Sequence, residues 1–243
     1  HSSILHSPWQ GDLSFLRDYE RIVPKVDVRR TDYGYAFTAI RLMNGQQYVR
    51  TSQYFMPAMQ LRSTLQQALQ RPDGPPPTMD GHIWVPIDDY NTWVYNFTYS
   101  YFPDAPLSHE HAVELEERQG RGPGEVTPTY RLKRDRSNDY MIDRALQKNG
   151  SFTGIEGVNT QDYALQENME TIVDRTKEHL GTIDQPIIMA RQLLLEAIDD
   201  VASGRTPRGA AIESYQGVRA ADAMVSLDAD WRNGLQARMK ALY

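Results

Sequence analysis

The sequence predicts an α+β domain, an antiparallel sheet with helices packed on one face. Two observations predict it. Apolar and polar residues alternate with a period of two in several runs between about Val26 and Tyr99. After Pro106 the period becomes 3.6, and no internal repeat disturbs that order.

Residues 1–20 read as helical or irregular. Val26 and Val28 then alternate with polar residues, and Tyr33, Tyr35, Phe37 and Ala39 follow the same rhythm. Asn44-Gly45 separates this run from QQYVRTSQYF, a strong hairpin signal because both residues tolerate the left-handed conformation. LRSTLQQALQ (61–70) reads as a short helix or an excursion, and RPDGPPP as a loop. HIWVPI and NTWVYNFTY flank Asp88-Asp89-Tyr90 as a second hairpin, giving about five strands up to Tyr99. Helices are then expected at SHEHAVELEERQ, at NDYMIDRALQK, and in one long run from a Thr160 cap to Gly181. Another should start at an Asp184 cap and stop at Gly204, and a last one should fill much of 217–242.

The chain has 243 residues, 40% of them apolar and 24% charged, the composition of an ordinary globular domain with a real core. A net charge of −6 argues against general nucleic-acid binding. No apolar run reaches the roughly 18 residues of a membrane span, and the start lacks the pattern of a signal peptide, so a cytoplasmic protein is expected. There is no cysteine, which excludes disulfides, thiolate zinc sites, a catalytic thiol and iron–sulfur ligation by these residues. The absence of an initial methionine leads us to expect a portion of a longer chain.

One carboxylate stands out. The long helix expected from Thr160 has an apolar stripe of Leu165, Met169, Ile172 and Val173, and Asp162 lies three residues before Leu165, on the side expected to be buried. A buried carboxylate is costly unless it is paired, hydrogen-bonded or bound to metal. The plain reading places Asp162 in the first helical turn, where the helix dipole welcomes an anion. The functional reading joins it to His1 and His6, since two imidazoles and one carboxylate form the facial triad of non-heme Fe(II) oxygenases. His-x-x-x-x-His is weak by itself, because a separation of five residues is about 140° apart on a helix.

HSSILHS resembles the iron-binding segment of the Rieske non-heme iron aromatic-ring oxygenases. GHIWVPIDDYNTWVYNFTY, NDYMIDRALQKNGSFTGIEGVNTQDYALQENM and DRTKEHLGTIDQPIIMARQLLL are similar to the branch of phthalate, chlorobenzoate and phenoxybenzoate oxygenases and related O-demethylases. The resemblance runs from residue 1 to about 208. It implies that His1 and His6 are the histidine ligands of a mononuclear Fe(II), and that Asp162 is its carboxylate ligand. It implies a helix-grip catalytic domain over residues 1–243, a curved antiparallel sheet wrapped around a long helix.

Two family features are absent from these residues: the Rieske [2Fe–2S] domain and the aspartate that precedes the first histidine ligand. The [2Fe–2S] cluster is therefore expected in an N-terminal part, without which electrons have no entry.

The activity implied is that of a terminal oxygenase component. It would use dioxygen and electrons from an NADH-dependent reductase of flavin and ferredoxin type to hydroxylate an aromatic ring. The expected substrate is an aromatic carboxylate such as phthalate or a substituted benzoate. A homo-oligomer, a trimer or hexamer, is also implied, because cluster and iron meet across a subunit boundary.

A substrate carboxylate calls for a bidentate arginine. Arg30 is the first candidate among Arg30, Arg41, Arg50 and Arg62, against a surface role for each. Two rivals stand beside this reading. One is an O-demethylating monooxygenase of the same family, and the other is a metal-free helix-grip ligand-binding module. Other features take plain readings. His109 and His111 do not face one another on a helix, His179 suits a helix C-terminus, RLKRDR is a solvated or subunit-contact segment rather than a nucleic-acid site, and GRGPGE is a loop.

Overall fold

A computed structural model describes residues 5–6, 22–63, 78–102, 104–213, 215–236 and 238–239. The chain divides into two compact units, one of His1–Val23 and Leu107–Glu178, the other of Pro24–Pro106 and His179–Tyr243.

The second unit is built on a seven-stranded antiparallel sheet. Strands β1 (Lys25–Arg30), β2 (Gly34–Met43), β3 (Gln46–Phe55), β4 (Met59–Ser63), β5 (Thr78–Pro86) and β6 (Thr92–Ser100) lie side by side in chain order. The Asn44-Gly45 hairpin forms as expected. Both residues take positive φ, 49° and 73°, and Met43 pairs with Gln46. The β5–β6 turn is tied by the Asp88 carboxylate, which accepts from the backbone N–H groups of Tyr90 (2.8 Å) and Asn91 (2.7 Å). Asp88-Asp89 is a turn pair.

Alternation sends the two faces of β2 into different packing. Tyr35, with Phe37, Val28 and Tyr54 beside it, meets Leu193 of a long helix, Gln185–Ala202. Ile40 and Val49 face the other way, onto Ala221, Ala223, Val225 and Leu235. The long helix starts after Asp184 as read from the sequence, and Gly204 stands beyond its end with φ +70°. A sheet with a long helix laid on β1 and β2 is the helix-grip arrangement that the resemblance implied.

The expected last helix is corrected. Ala221–Ser226 is a strand, β7, which pairs with β3 from Gln46↔Ser226 to Thr51↔Ala221, and only Trp231–Gln236 is helical there. ADAMVS places Ala221, Ala223 and Val225 on one face at period two, and tertiary pairing overrides the helix propensity of alanine. β3 is long enough to share one edge between partners, with β7 along residues 46–51 and β4 from Gln53↔Leu61 onward. The strands up to Ser100 number six rather than about five, because residues 59–63 are extended.

The first unit is helical and irregular among its described residues. It holds helices α1 (His109–Arg118), α2 (Arg144–Asn149) and α3 (Val158–Glu167); the long helix and Trp231–Gln236 of the other unit are α4 and α5. Ser108 caps α1, its hydroxyl accepting from His111 N–H at 3.2 Å, and Asp143 caps α2. Among the described residues no helix is long and apolar enough to cross a membrane.

Here the expected helix from Thr160 to Gly181 is corrected in three ways. Its N-cap is Gly157, not Thr160. It ends at Glu167, where Asn168 caps it and Glu170 turns to φ +77°. Only a single 3₁₀ turn, Arg175–Lys177, follows, capped by Asp174. His179 accordingly lies in irregular chain rather than at the end of that helix.

Candidate metal centre

The start of α3 is made by a close approach of two glycines. Gly157 has φ +86° and Gly120 φ +78°, and a Cβ on Gly157 would lie 2.7 Å from the Cα of Gly120. Only glycine permits both the backbone angle and the contact. The approach lets Asn159 N–H donate to the Gln119 carbonyl at 2.9 Å, which satisfies one of the donors left over at a helix start. Nearby, Arg134 clasps the Glu125 carboxylate with two N–H groups (2.7 and 2.6 Å) and donates to the Glu156 carbonyl at 3.0 Å. The basic RLKRDR segment thus braces the turn into α3.

What α3 buries is its first turn, and that turn is polar. Asn159, Thr160 and Gln161 are the buried residues, whereas Leu165, Met169 and Ile172 are 49%, 50% and 61% exposed. The apolar stripe read from the sequence is therefore not the buried face, and Asp162 is not among the fully buried residues. Its side chain is 31% exposed, at the border of the polar face.

His6 meets this border. Its Nε2 lies 3.2 Å from Asp162 Oδ1, and its Nδ1 lies 2.8 Å from Gln161 Oε1. The Gln161 amide is oriented by its other end, since Nε2 donates to the Ile155 carbonyl at 2.7 Å. A backbone carbonyl only accepts, so the amide must turn its NH₂ to Ile155 and its oxygen to His6. That oxygen also only accepts, so His6 Nδ1 carries a proton.

In the neutral ring, Nε2 then presents a lone pair to a carboxylate oxygen 3.2 Å away. Two lone pairs at that distance repel unless a cation, a proton or a metal ion, sits between them. Two atoms about 2.1 Å from one ion and at right angles would be about 3 Å apart, so the spacing suits neighbouring positions on one metal. One imidazole nitrogen and one carboxylate oxygen suit Fe(II) among others. The residues fit a mononuclear metal.

His1, the other expected ligand, lies outside the described residues. Among the described residues no group of three or more His, Asp or Glu side chains is arranged to hold a metal ion. The structure thus brings together two of the three residues expected there. His109 and His111 do not join them: His111 Nδ1 pairs with Glu114 at 3.4 Å on α1.

A strained turn stands against the far end of α3. Asp139, Tyr140 and Met141 all adopt left-handed φ, between 50° and 54°, at about 1–2 kcal/mol each. The turn buries Tyr140 and lets its hydroxyl donate to Glu167 Oε2 at 2.6 Å. Burial first, and then the Glu167 carboxylate, pushes the Tyr140 phenol above its ordinary value of 10.0.

In the other unit, Arg30 is engaged with protein. Its guanidinium makes a two-pronged contact with Glu196 of α4 (2.9 and 2.6 Å), and both side chains are exposed. Arg50 donates to the Ser63 carbonyl at 3.1 Å, and Arg62 lies 3.5 Å from Asp80. Sequence reading missed Gln161. The available signal was a polar residue directly before the candidate ligand, in the first turn of the helix.

Comparison with known proteins gives the chain a family. The family described as LigXa C-terminal domain like matches residues 6–241. The chain is 30% identical, over 255 aligned positions, to the phthalate 4,5-dioxygenase oxygenase subunit of Pseudomonas putida, covering 98% of the chain and 54% of that protein. It is 27% identical over 259 positions to the 3-chlorobenzoate-3,4-dioxygenase oxygenase subunit of Comamonas testosteroni, covering all of the chain and 57% of that protein. The chain spans a little over half the length of the curated relatives it matches.

Proposed function

This chain belongs to the LigXa C-terminal domain-like family, the C-terminal domain of Rieske oxygenase alpha subunits, and from that premise we propose that it is the catalytic domain, over residues 1–243, of an aromatic-ring oxygenase acting on an aromatic carboxylate. The observation that carries the proposal is His6 Nε2 facing Asp162 Oδ1 at 3.2 Å, with His6 Nδ1 2.8 Å from Gln161 Oε1. Relatives named for phthalate and chlorobenzoate dioxygenation support the substrate class.

His1, His6 and Asp162 would hold a mononuclear non-heme Fe(II). The chemistry that such an ion supplies is reductive activation of dioxygen beside the bound ring. The residues do the rest. Asp162 offsets part of the metal's charge. Gln161 and Ile155 fix the His6 ring, and partial burial of both ligands limits the access of water. For a dioxygenation the ring, one O₂, two electrons and two protons become a cis-dihydrodiol, with both oxygen atoms in the product.

The chain has no cysteine, so the ligands of a Rieske [2Fe–2S] cluster would come from the rest of the protein. An NADH-dependent reductase of flavin and ferredoxin type would feed the cluster. A cytoplasmic trimer or hexamer would bring one subunit's cluster to the next subunit's iron.

The test uses the whole protein with its reductase, NADH and ¹⁸O₂, against phthalate, chlorobenzoates and methoxybenzoates. Ring hydroxylation carrying two labelled oxygens is the expected result. One labelled oxygen with release of formaldehyde would reassign the reaction to O-demethylation. Failure to label any of these substrates, with cluster and iron loaded, would sink the proposal.

A further inference from the structure

We infer that Gln161 is a positioning residue that selects the metal-binding tautomer of His6; this rests on the reading of His6 and Asp162 as metal ligands. A neutral imidazole bears one proton. Imidazole in water prefers to carry it on the nitrogen farther from the backbone, Nε2, the atom that faces Asp162 at 3.2 Å. With the proton there, His6 and Asp162 would hydrogen-bond to each other, and the nitrogen lone pair would be lost to a metal.

The structure reverses that preference by a relay that begins at a backbone carbonyl. Ile155 C=O accepts from Gln161 Nε2 at 2.7 Å, and Gln161 Oε1 accepts from His6 Nδ1 at 2.8 Å. The lone pair is left on Nε2. The opposite orientation of the amide would set its oxygen against the Ile155 oxygen, two acceptors in contact in a buried place.

The root of the relay is itself held. Ile155 is buried, its N–H donates to Thr153 Oγ1 at 3.1 Å, and it sits between Gly154 at φ +68° and Gly157 at φ +86°. Gln161 is 7% exposed, so water does not substitute for either contact. Buried in the first turn of α3, the Gln161 oxygen takes its donor from His6.

The role separates from a purely structural one by the choice of variant. Gln161→Glu keeps an acceptor against His6 and loses the donor to Ile155. Gln161→Leu removes both. Gln161→Met removes both while retaining the unbranched shape, and serves if the Leu variant does not fold.

In the whole protein, mononuclear Fe(II) affinity is measured by chelator competition, the Rieske iron being counted apart from its own spectrum, alongside thermal melting. Loss of the acceptor should weaken Fe(II) by roughly 10–100-fold, with Gln161→Glu staying within a few-fold of the parent. Imidazole ¹⁵N NMR of the metal-free protein, at a pH where the ring carries a single proton, should show that proton on Nδ1 of His6 in the parent and in Gln161→Glu, and on Nε2 in the Leu or Met variant.

An apolar variant that binds Fe(II) as the parent does would overturn the inference. So would an equal loss in Gln161→Glu, which would assign the effect to the Ile155 anchor, or a parent ring protonated on Nε2. A parent with no mononuclear Fe(II) site at all is a different failure. It rejects the metal reading, and the NMR result then decides the tautomer by itself.

Discussion

The sheet and the helix that carries Asp162 bury different mixtures of residue. In the sheet the buried positions are largely Val49, Phe55, Leu61, Met79, Ala221 and Val225, placed by a period of two. At the start of α3 they are Asn159, Thr160 and Gln161, while the helix's large apolar residues lie at the surface. The sheet also buries polar groups, and several of them pair within its own unit: Thr38 with Thr51 at 2.7 Å, Gln53 onto the Arg219 carbonyl at 2.9 Å, and Tyr48 onto Asp222 at 3.1 Å. The polar face of α3 runs outward instead, through Gln161 to His6 and to a lone pair facing a carboxylate. Burying polar groups costs free energy, and an arrangement that ends at a partly buried imidazole–carboxylate pair is what a binding site, rather than a stabilising core, would require.

That contrast can be broken from either side. The largest loss of stability is expected where α4 packs on the sheet. Leu193 of α4 is 1% exposed against Tyr35 and Met56, so Leu193→Ala should cost about 2–5 kcal/mol. Denaturant unfolding reads the loss, and Fe(II) affinity at a temperature where the variant remains folded should be unchanged. Coupled loss of both would show that the site depends on the sheet's apolar core.

Gly157→Ala should act at the other end of the comparison. The left-handed backbone costs about 1–2 kcal/mol for a residue with a Cβ, and contact with Gly120 adds about 1–3 kcal/mol of overpacking. Here Fe(II) affinity should fall together with stability, because the same glycine contact sets the start of α3. Retained affinity would separate the ligands from the helix start.

A smaller effect belongs to Tyr140. The folded chain holds its phenol above 10.0, so the protonated form is the one the fold favours. Its contribution is complete below about pH 10 and is lost as pH rises through the raised value. Tyr140→Phe should lose about 1.5–3 kcal/mol at neutral pH, the range for a hydrogen bond to a charged group. It should also show a shallower alkaline decline than the parent in unfolding followed from pH 8 to 11. An equal decline would remove Tyr140 from the alkaline transition.

The smallest effect is expected at Arg30. Its pair with Glu196 is exposed on both sides, and such pairs are worth under about 1 kcal/mol. Arg30→Gln should leave melting almost unchanged. A raised KM for an aromatic carboxylate with unchanged melting would place this guanidinium at the substrate after all.

Much of the sheet was legible because period-two alternation and Asn44-Gly45 act locally, and the α4 caps were legible for the same reason. The exceptions were β4, part of which was read as a short helix or excursion, and, more sharply, β7. Its residues are good helix formers, and only the distant edge of β3 makes them a strand. The helix carrying Asp162 was legible in place but not in extent or facing. Its apolar stripe pointed away from the buried side, and its N-cap is a glycine whose role depends on Gly120, 37 positions earlier. Asp162 and His6 were found by type and by resemblance. Gln161 was not, because its meaning lies in two hydrogen bonds to residues distant along the chain or on the backbone.

The first measurement is mononuclear Fe(II) per subunit in the whole protein after anaerobic reconstitution and desalting, beside Asp162→Ala. About one Fe(II) beyond the Rieske iron in the parent, lost in a variant that melts as the parent does, is the result predicted from a facial triad. A well-folded parent that retains no mononuclear iron, or an Asp162→Ala variant that retains it fully, would contradict the assignment of His6 and Asp162 as its ligands.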